Sequence, residues 1–205
     1  MHKDRARDFS EGSILKHLIA FSWPMFFGNF LQALYNTVDT FWVGRFLGTE
    51  ALAAVSASFP IVFFLVSLII GVGIATTILV SQYYGAKDEQ GLKRAINTSL
   101  FLMTVSALVV TAIGILFYKP IFKLVHLPES LWADAGTYLV IFLSGLVLTF
   151  LYNGLSAIMR GFGDSLTPLY FLAIATVINI ILDPLFILGV GPIPKMGVAG
   201  VAWAT

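Results

Sequence analysis

The sequence predicts an all-α integral membrane protein, a polytopic helical bundle with five complete transmembrane helices plus the start of a sixth. Of its 205 residues, 58% are apolar and only 11% are charged, whereas a soluble domain has about 25% charged residues. Four windows of 21 to 36 residues contain no Asp, Glu, Lys, Arg or His, and about 20 apolar residues suffice to cross a bilayer as a helix. None of these windows alternates apolar and polar residues in the manner of a membrane β-strand.

Charge and composition exclude several classes of protein. Twelve Lys and Arg residues oppose eleven Asp and Glu residues, for a net charge of +1, so the chain lacks the basic excess with which proteins neutralise nucleic-acid phosphates. It has no cysteine, which excludes a disulfide framework, a zinc finger and an iron–sulfur cluster. We therefore expect the lipid bilayer as a partner, and neither nucleic acid nor a resident cofactor.

The predicted spans follow the charge-free windows in chain order. They cover residues 15–44, 53–83, 95–118, 135–159 and 167–189, with a partial sixth span at 197–205. The nine residues of the sixth segment would rise about 14 Å as a helix, roughly half a bilayer. We therefore expect the sequence to stop inside a helix. Between the third and fourth spans, residues 119–130 mix apolar and charged side chains, which predicts a helix lying on the membrane surface.

The loop charges predict the orientation. One side of the membrane would collect eight basic residues and the other side four, and the more basic side is cytoplasmic. The first group is Lys3, Arg5, Arg7, Lys16, Lys87, Lys93, Arg94 and Arg160, and the second is Arg45, Lys119, Lys123 and Lys195. We therefore expect a multi-pass protein of the cytoplasmic (inner) membrane with a cytoplasmic N-terminus.

The first span carries a stripe of polar residues. At 100° per residue, Asn29, Gln32, Asn36 and Asp39 fall within an 80° arc of the helix. Burying an ionised carboxylate in a membrane costs about 2.5–3.5 kcal/mol on insertion scales, and lipid offers these groups no hydrogen-bond partner. We therefore expect the stripe to line an internal cavity. Pro24 lies nearer the N-terminal end of the same span. Because proline has no N–H, it removes one helical hydrogen bond, which predicts a bend or hinge in this helix.

The fifth span repeats this pattern. Thr176, Asn179 and Asp183 share one helical face, and Pro184 should loosen the helix beside the second carboxylate. In the fourth span, a polar face includes Tyr138 and Asn153. Most of its side chains are typical of helix packing, and Asn153 is the exception that we take as a candidate for function.

One motif raises the question of an enzyme. Gly161-Phe-Gly-Asp164 matches the Gly-x-Gly-Asp signature of intramembrane aspartyl proteases. Such proteases carry the motif inside a span, whereas Asp164 here follows Arg160 in a loop. We therefore expect no catalytic residues and no enzymatic activity.

Five segments in a fixed order carry a family resemblance. They are DTFWVGRFLGTEALAA at 39–54, SQYYGAKD at 81–88, MRGFGDSLTP at 159–168, NIILDP at 179–184 and GVAGVAWAT at 197–205. Together they resemble the multidrug and toxic compound extrusion (MATE) family of cation-coupled antiporters. The resemblance implies the N-terminal six-helix lobe of such a transporter, with the C-terminal lobe missing from this sequence.

The resemblance also implies a cation or proton site. Its residues would be Asp39, Asp183, Asn179 and Thr205, with Asn153 and Tyr138 in the surrounding network, and the two aspartates would be the Na⁺ ligands if Na⁺ were the coupling ion. Asn29, Gln32, Asn36 and Thr176 would line the substrate cavity, and Pro24 would be the hinge. The implied activity is exchange of inward-moving H⁺ or Na⁺ for an organic, often cationic, solute. Two alternatives stay open: a lipid-linked oligosaccharide flippase of the same superfamily, and a non-transporting membrane scaffold.

Overall fold

The computed structural model of the chain describes residues 13–189 and 194–205, and the elements within these ranges are helical. Six α-helices follow one another along the described residues, with one short 3₁₀ helix between the third and fourth. They are α1 (Ile14–Phe46), α2 (Gly48–Gly85), α3 (Glu89–Leu124), the 3₁₀ helix (Glu129–Leu131), α4 (Trp132–Gly161), α5 (Leu166–Leu188) and α6 (Val198–Ala204). The predicted all-α bundle is confirmed, and each helix contains or closely matches its predicted span.

Three segments within the described ranges are long and apolar enough to cross a membrane: Glu89–Leu124, Glu129–Gly161 and Leu166–Leu188. They correspond to α3, α4 with its preceding 3₁₀ turn, and α5, and they support a multi-pass membrane protein. Helices α1 and α2 have 33 and 38 residues, which is ample length at 1.5 Å per residue. Their membrane crossing stays a prediction, so the count of five spans plus a partial sixth is not confirmed. The orientation rests partly on Lys3, Arg5 and Arg7, which lie outside the described residues.

Local backbone chemistry explains where the helices begin and end. Leu47 separates α1 from α2, and Gly48, the first residue of α2, has a φ of 86°, a left-handed conformation that glycine adopts without steric cost. The Asp88 carboxylate accepts a hydrogen bond of 2.9 Å from the Gly91 amide and so caps the start of α3. These short connections place α1, α2 and α3 as successive neighbours.

The predicted surface helix over residues 119–130 is wrong in its first half. Residues 119–124 instead continue α3, and Phe122 is fully buried, with its ring 6.1 Å from that of Trp132. The Trp132 indole N–H then donates to the Leu127 carbonyl at 2.9 Å and holds the turn into α4. Burial of Phe122 in the bundle core accounts for the difference, since the aromatic side chain gains more from that core than from the membrane interface.

Helix α4 is the centre of the bundle. It packs against α2 and α3 on one side and against α6 on the other, while α1 packs mainly against α5. The α3–α4 core contains fully buried Met103, Leu139, Leu143 and Leu146. Because α6 also contacts α5, it links the α1–α5 pair to the rest of the bundle.

Helices α2 and α4 approach closely near their ends. The Thr77 hydroxyl donates across the interface to the Ala157 carbonyl at 3.0 Å. A β-carbon added at Gly161 would lie 2.6 Å from Val80 Cγ1 and 3.1 Å from the Thr77 carbonyl oxygen. Only glycine therefore fits at this helix crossing, as is common where membrane helices pack through small residues.

This crossing predicts a position-specific effect of alanine in α4. Gly161→Ala should lower the free energy of unfolding by about 1–3 kcal/mol, the usual cost of overpacking a filled interface. Gly145→Ala in the same helix is the matched control, because its β-carbon would meet no atom within 4 Å. Alanine there should be neutral or stabilising by up to about 1 kcal/mol. Denaturant unfolding in detergent micelles measures both, and equal effects would contradict the proposed close contact.

Candidate functional site

Two buried carboxyl groups meet between α1 and α5. Asp39 on α1 is 5% exposed and Asp183 on α5 is 0% exposed, and the two carboxyl groups are close enough to influence each other electrostatically. Two ionised carboxylates offer only acceptors, so they repel each other unless a proton or a cation lies between them. The structure therefore brings together the two acidic residues that the sequence places in separate spans.

Asn179 connects this pair to α6. It lies one turn before Asp183 on α5 and is 1% exposed. Its Nδ2 donates to Asp183 Oδ1 at 3.2 Å and to the Ala204 carbonyl at 3.4 Å. A single amide group thus orients one carboxyl group and ties α5 to the end of α6.

Two tyrosines border the pair. Tyr35, one turn before Asp39 on α1, donates its hydroxyl proton to the Thr205 carbonyl at 3.2 Å. Tyr138 on α4 is buried, stacks on Phe142 and lies near Asp39, Asp183 and Tyr35. The exposed Thr205 contributes its backbone here, because its own hydroxyl donates back to Val201 at 3.0 Å.

Unpaired polar atoms concentrate at the same place. Among the residues that the structure describes, four buried side-chain atoms have no hydrogen-bond partner: Asp39 Oδ1, Asn179 Oδ1, Asp183 Oδ2 and Trp42 Nε1. The three oxygen atoms belong to Asp39, Asn179 and Asp183, and all three are acceptors. Buried acceptors are costly unless something satisfies them, so this cluster of oxygen atoms favours a proton or a small cation.

The oxygen atoms suit a hard cation better than a transition metal. Across residues 13–189 and 194–205, no point gathers three or more His, Cys, Asp or Glu side chains. Carboxylate and amide oxygens of Asp39, Asp183 and Asn179 are instead the ligand type of hard ions. The arrangement can therefore exchange protons or bind a small cation.

Not all candidate residues reach the pocket. Thr176 is buried on α5 and its hydroxyl donates to the Leu172 carbonyl within the same helix. Asn153 donates to the Thr149 carbonyl of its own helix at 2.8 Å. It lies fifteen residues from Tyr138, about 22 Å along α4. The structure therefore does not bring Asn153 to the aspartate pair.

The polar stripe of α1 divides into two parts. Asp39 is buried, whereas Asn29, Gln32 and Asn36 are exposed on the described chain. Asn36 also lines a shallow depression of about 460 Å³ with Thr37, Thr40 and Phe41. Pro24 is buried within α1, about 22 Å from Asp39 at 1.5 Å per residue, and α1 is helical on both sides of it.

The Gly-x-Gly-Asp segment has a structural explanation. Asp164 lies between α4 and α5, and its Oδ1 accepts hydrogen bonds from the Leu166 and Thr167 amides at 3.1 and 3.0 Å. Its Oδ2 accepts from the Thr167 hydroxyl at 2.6 Å. A carboxylate engaged in this way caps the first turn of α5.

Sequence reasoning missed one residue of the site, Tyr35. Its spacing was informative, because the i−4 position lies on the same side of a helix as Asp39. Aromatic residues are also common in interfacial belts and helix contacts, and this commoner role hid the signal.

Comparison with known proteins gives the family. The MatE family model matches residues 24–185, which include both aspartates, Asn179, Tyr35 and Tyr138. The chain belongs to the MATE family. This confirms the resemblance carried by the sequence motifs.

Individual relatives agree with this assignment. The chain is 39% identical over 201 residues to YpnP of Bacillus subtilis, named a probable multidrug resistance protein, covering 98% of this chain and 44% of the relative. It is 31% identical over 188 residues to a FAD transporter of Shewanella oneidensis, covering 92% of this chain and 41% of that protein. A crystal structure of MATE in the bent conformation matches with 30% identity and a TM-score of 0.86, over 95% of this chain and 42% of the other. The chain thus spans less than half the length of these MATE-family proteins, which are transporters.

The amide bridge at Asn179 predicts a change in stability. Asn179→Leu should lower the free energy of unfolding by about 1–3 kcal/mol, because Asp183 Oδ1 loses its donor while it remains buried. Asn153→Leu is the matched control, since the Asn153 amide donates only to Thr149 of its own helix among the described contacts. Its effect should stay below about 1 kcal/mol. Unfolding curves in the same detergent compare the two, and an equal loss would argue against the bridge.

Proposed function

We propose that this chain forms the cation-coupling half of an antiporter that exports organic, often cationic, compounds across the cytoplasmic membrane. The observation that carries the proposal is the acceptor-rich cluster of Asp39, Asp183 and Asn179. It combines two buried carboxyl groups with unpaired oxygen atoms in a bundle of membrane helices. Membership of the MATE family supports transport as the activity.

Charge neutralisation is the proposed coupling step. An ionised carboxylate pair is costly in an apolar bundle, and that cost falls when H⁺ or Na⁺ occupies the pocket. The incoming ion would replace the missing hydrogen-bond or coordination partners of Asp39, Asp183 and Asn179. Tyr138 and Thr205 would border this site. The ion is a transported substrate in this scheme, and the protein needs no resident cofactor.

Movement of α1 would link ion binding to export. Ion binding changes the bonding between α1 and α5, and Pro24 lacks the N–H that would hold α1 straight at that point. We propose Pro24 as the hinge, in keeping with the bent conformation of the similar MATE crystal structure. Asn29, Gln32, Asn36 and Thr176 are the proposed lining of the substrate cavity.

The sign of the buried charge favours an organic cation as substrate. Both ionisable groups at the centre of the site are acidic, and acidic residues attract cations and repel phosphates. A lipid-linked oligosaccharide flippase would need Lys or Arg in this place to hold a pyrophosphate. Because one relative is named a FAD transporter, and FAD carries a pyrophosphate, the substrate panel for any assay includes both charge classes.

The proposed transport path includes a second lobe that is not part of this sequence. Relatives are more than twice as long as this chain, so we propose that a second, C-terminal lobe completes the transport path. We also propose that the protein spans the inner membrane with its N-terminus in the cytoplasm, as the loop charges predict. Rocking of the two lobes would then expose the cavity to each side in turn.

Substitution of the aspartates tests the coupling site. With the protein as its gene encodes it, Asp39→Asn and Asp183→Asn should each lower coupled efflux of ethidium from loaded cells by at least about tenfold, because neither amide can take up a proton. Asp134→Asn, at an exposed carboxylate near the start of α4, is the control and should retain efflux. Undiminished coupled efflux in both site variants would overturn the assignment. If the two variants lose efflux of FAD but keep efflux of ethidium, the result would favour an anionic substrate.

Imposed gradients identify the ion and test the hinge. In proteoliposomes, either an H⁺ or a Na⁺ gradient should drive substrate exchange, and Asp39→Asn should abolish the response to that ion. Pro24→Ala restores the missing hydrogen bond and should slow exchange several-fold while substrate binding at equilibrium stays unchanged. Exchange without either gradient would contradict ion coupling, and an unchanged rate in Pro24→Ala would contradict the hinge.

A further inference from the structure

A groove runs between α2 and α3, on a different pair of helices from the aspartate site. Its volume is about 440 Å³, and its walls are formed by small or apolar side chains, including Ala75 and Leu79 of α2 and Ala95 and Leu102 of α3. Thr76 is buried in its lining, and the Thr76 hydroxyl donates to the Val72 carbonyl of its own helix at 2.8 Å. Because that hydroxyl is satisfied within α2, the groove presents a mainly apolar surface.

The groove has the depth of one membrane leaflet. Its lining on α2 extends from Gly71 to Tyr83, and these two residues are about 18 Å apart along the helix at 1.5 Å per residue. Half of the hydrocarbon core of a bilayer is about 15 Å thick. An acyl chain lying along the groove would therefore reach from the membrane surface to the bilayer midplane.

The surface end of the groove is polar and basic. Arg94 and Tyr83 lie in its lining there, and the Tyr83 ring packs on Gly91, in the space that a β-carbon would fill. Tyrosine is typical of the lipid headgroup level. Residues 87–94 carry three basic and two acidic side chains, so the net charge of this segment at the mouth is positive.

We propose that the α2–α3 groove binds one anionic phospholipid, with an acyl chain between the helices and the phosphate on Arg94. A guanidinium forms paired hydrogen bonds to phosphate oxygens, and basic pockets between membrane helices are suited to acidic lipid headgroups. The groove depth matches a lipid chain better than a soluble anion, which would occupy only the mouth. This binding site is independent of the proposed antiport activity.

Native mass spectrometry of the delipidated protein, as its gene encodes it, tests the lipid site. Phosphatidylglycerol and phosphatidylcholine with the same acyl chains are the probes. One phosphatidylglycerol molecule should bind at least about tenfold more tightly than phosphatidylcholine, and Arg94→Gln should remove about tenfold of that affinity. Lys93→Gln is the matched control, since Lys93 is exposed and does not line the groove, and it should change affinity less than about twofold.

Groove-filling variants test the position of the acyl chain. Ala75→Phe should weaken binding of both lipids by about tenfold, and Thr98→Phe gives the same test from α3 if the first variant folds poorly. Unchanged lipid binding in Arg94→Gln, or equal affinity for the two headgroups, would overturn the proposal. Competition by sn-glycerol 3-phosphate as strong as that by the lipid would overturn it too, by indicating a soluble-anion site.

Cysteine labelling distinguishes lipid from protein in the groove. The 205 residues contain no cysteine, so Ala75→Cys introduces a single thiol into this sequence. In nanodiscs, a membrane-soluble maleimide should label this thiol, and phosphatidylglycerol should slow the labelling relative to phosphatidylcholine. A thiol that stays unlabelled in both lipids would show that another protein segment or a second copy fills the groove, which would contradict the proposal.

Discussion

Hydrocarbon offers no hydrogen-bond partner, and this constraint governs the whole structure. It makes the described elements helical, because a helix satisfies its own backbone. It also explains why buried or lipid-facing hydroxyls turn back on their own helices, as Ser58, Thr76 and Ser144 do. Among the described residues, the buried oxygen atoms of Asp39, Asn179 and Asp183 that lack a hydrogen-bond partner are the exception to this rule. A site that must gain and lose an ion has to be unsatisfied in one of its states.

The helices that form the tightly packed core differ from the helices that carry the candidate site. Helices α2, α3 and α4 form a tightly packed group, with a cross-helix hydrogen bond from Thr111 to Leu143 and a glycine contact at Gly161. The aspartate cluster lies instead between α1, α5 and α6, where the side chains of Tyr35 and Asn179 form hydrogen bonds to α6 and to the residue that follows it. Close packing resists displacement, whereas polar contacts of this kind are able to change when a proton or ion binds. This contrast places the rigid part of the chain beside the part that the proposed mechanism moves.

Much of the candidate site was predictable from the sequence because carboxylates and amides in apolar spans are costly and therefore informative. In the structure Asp183 and Asn179 are joined by a hydrogen bond, and Asp39 is the buried carboxyl group of α1 that faces them. Asn153 shares a polar helical face with Tyr138 yet lies about 22 Å along α4 from it, because a helical wheel reports angle and ignores height. Tyr35 was missed since aromatic residues have a commoner role in membrane helices. Phe122 was misjudged because its partner, Trp132, comes from the next helix.

The sequence by itself determined the helical class, the approximate ends of each helix, the family and the polar face of each helix. Those properties depend on composition and on periodicity within one segment. Only the tertiary structure decided which faces meet: Asp39 against Asp183, Asn179 against the end of α6, Tyr35 against Thr205. Periodicity sets the direction of a side chain around its own axis, whereas the rotation and height of one helix relative to another depend on interlocking side chains from both. The site therefore depends on how the helices pack against one another, which periodicity within one segment does not specify.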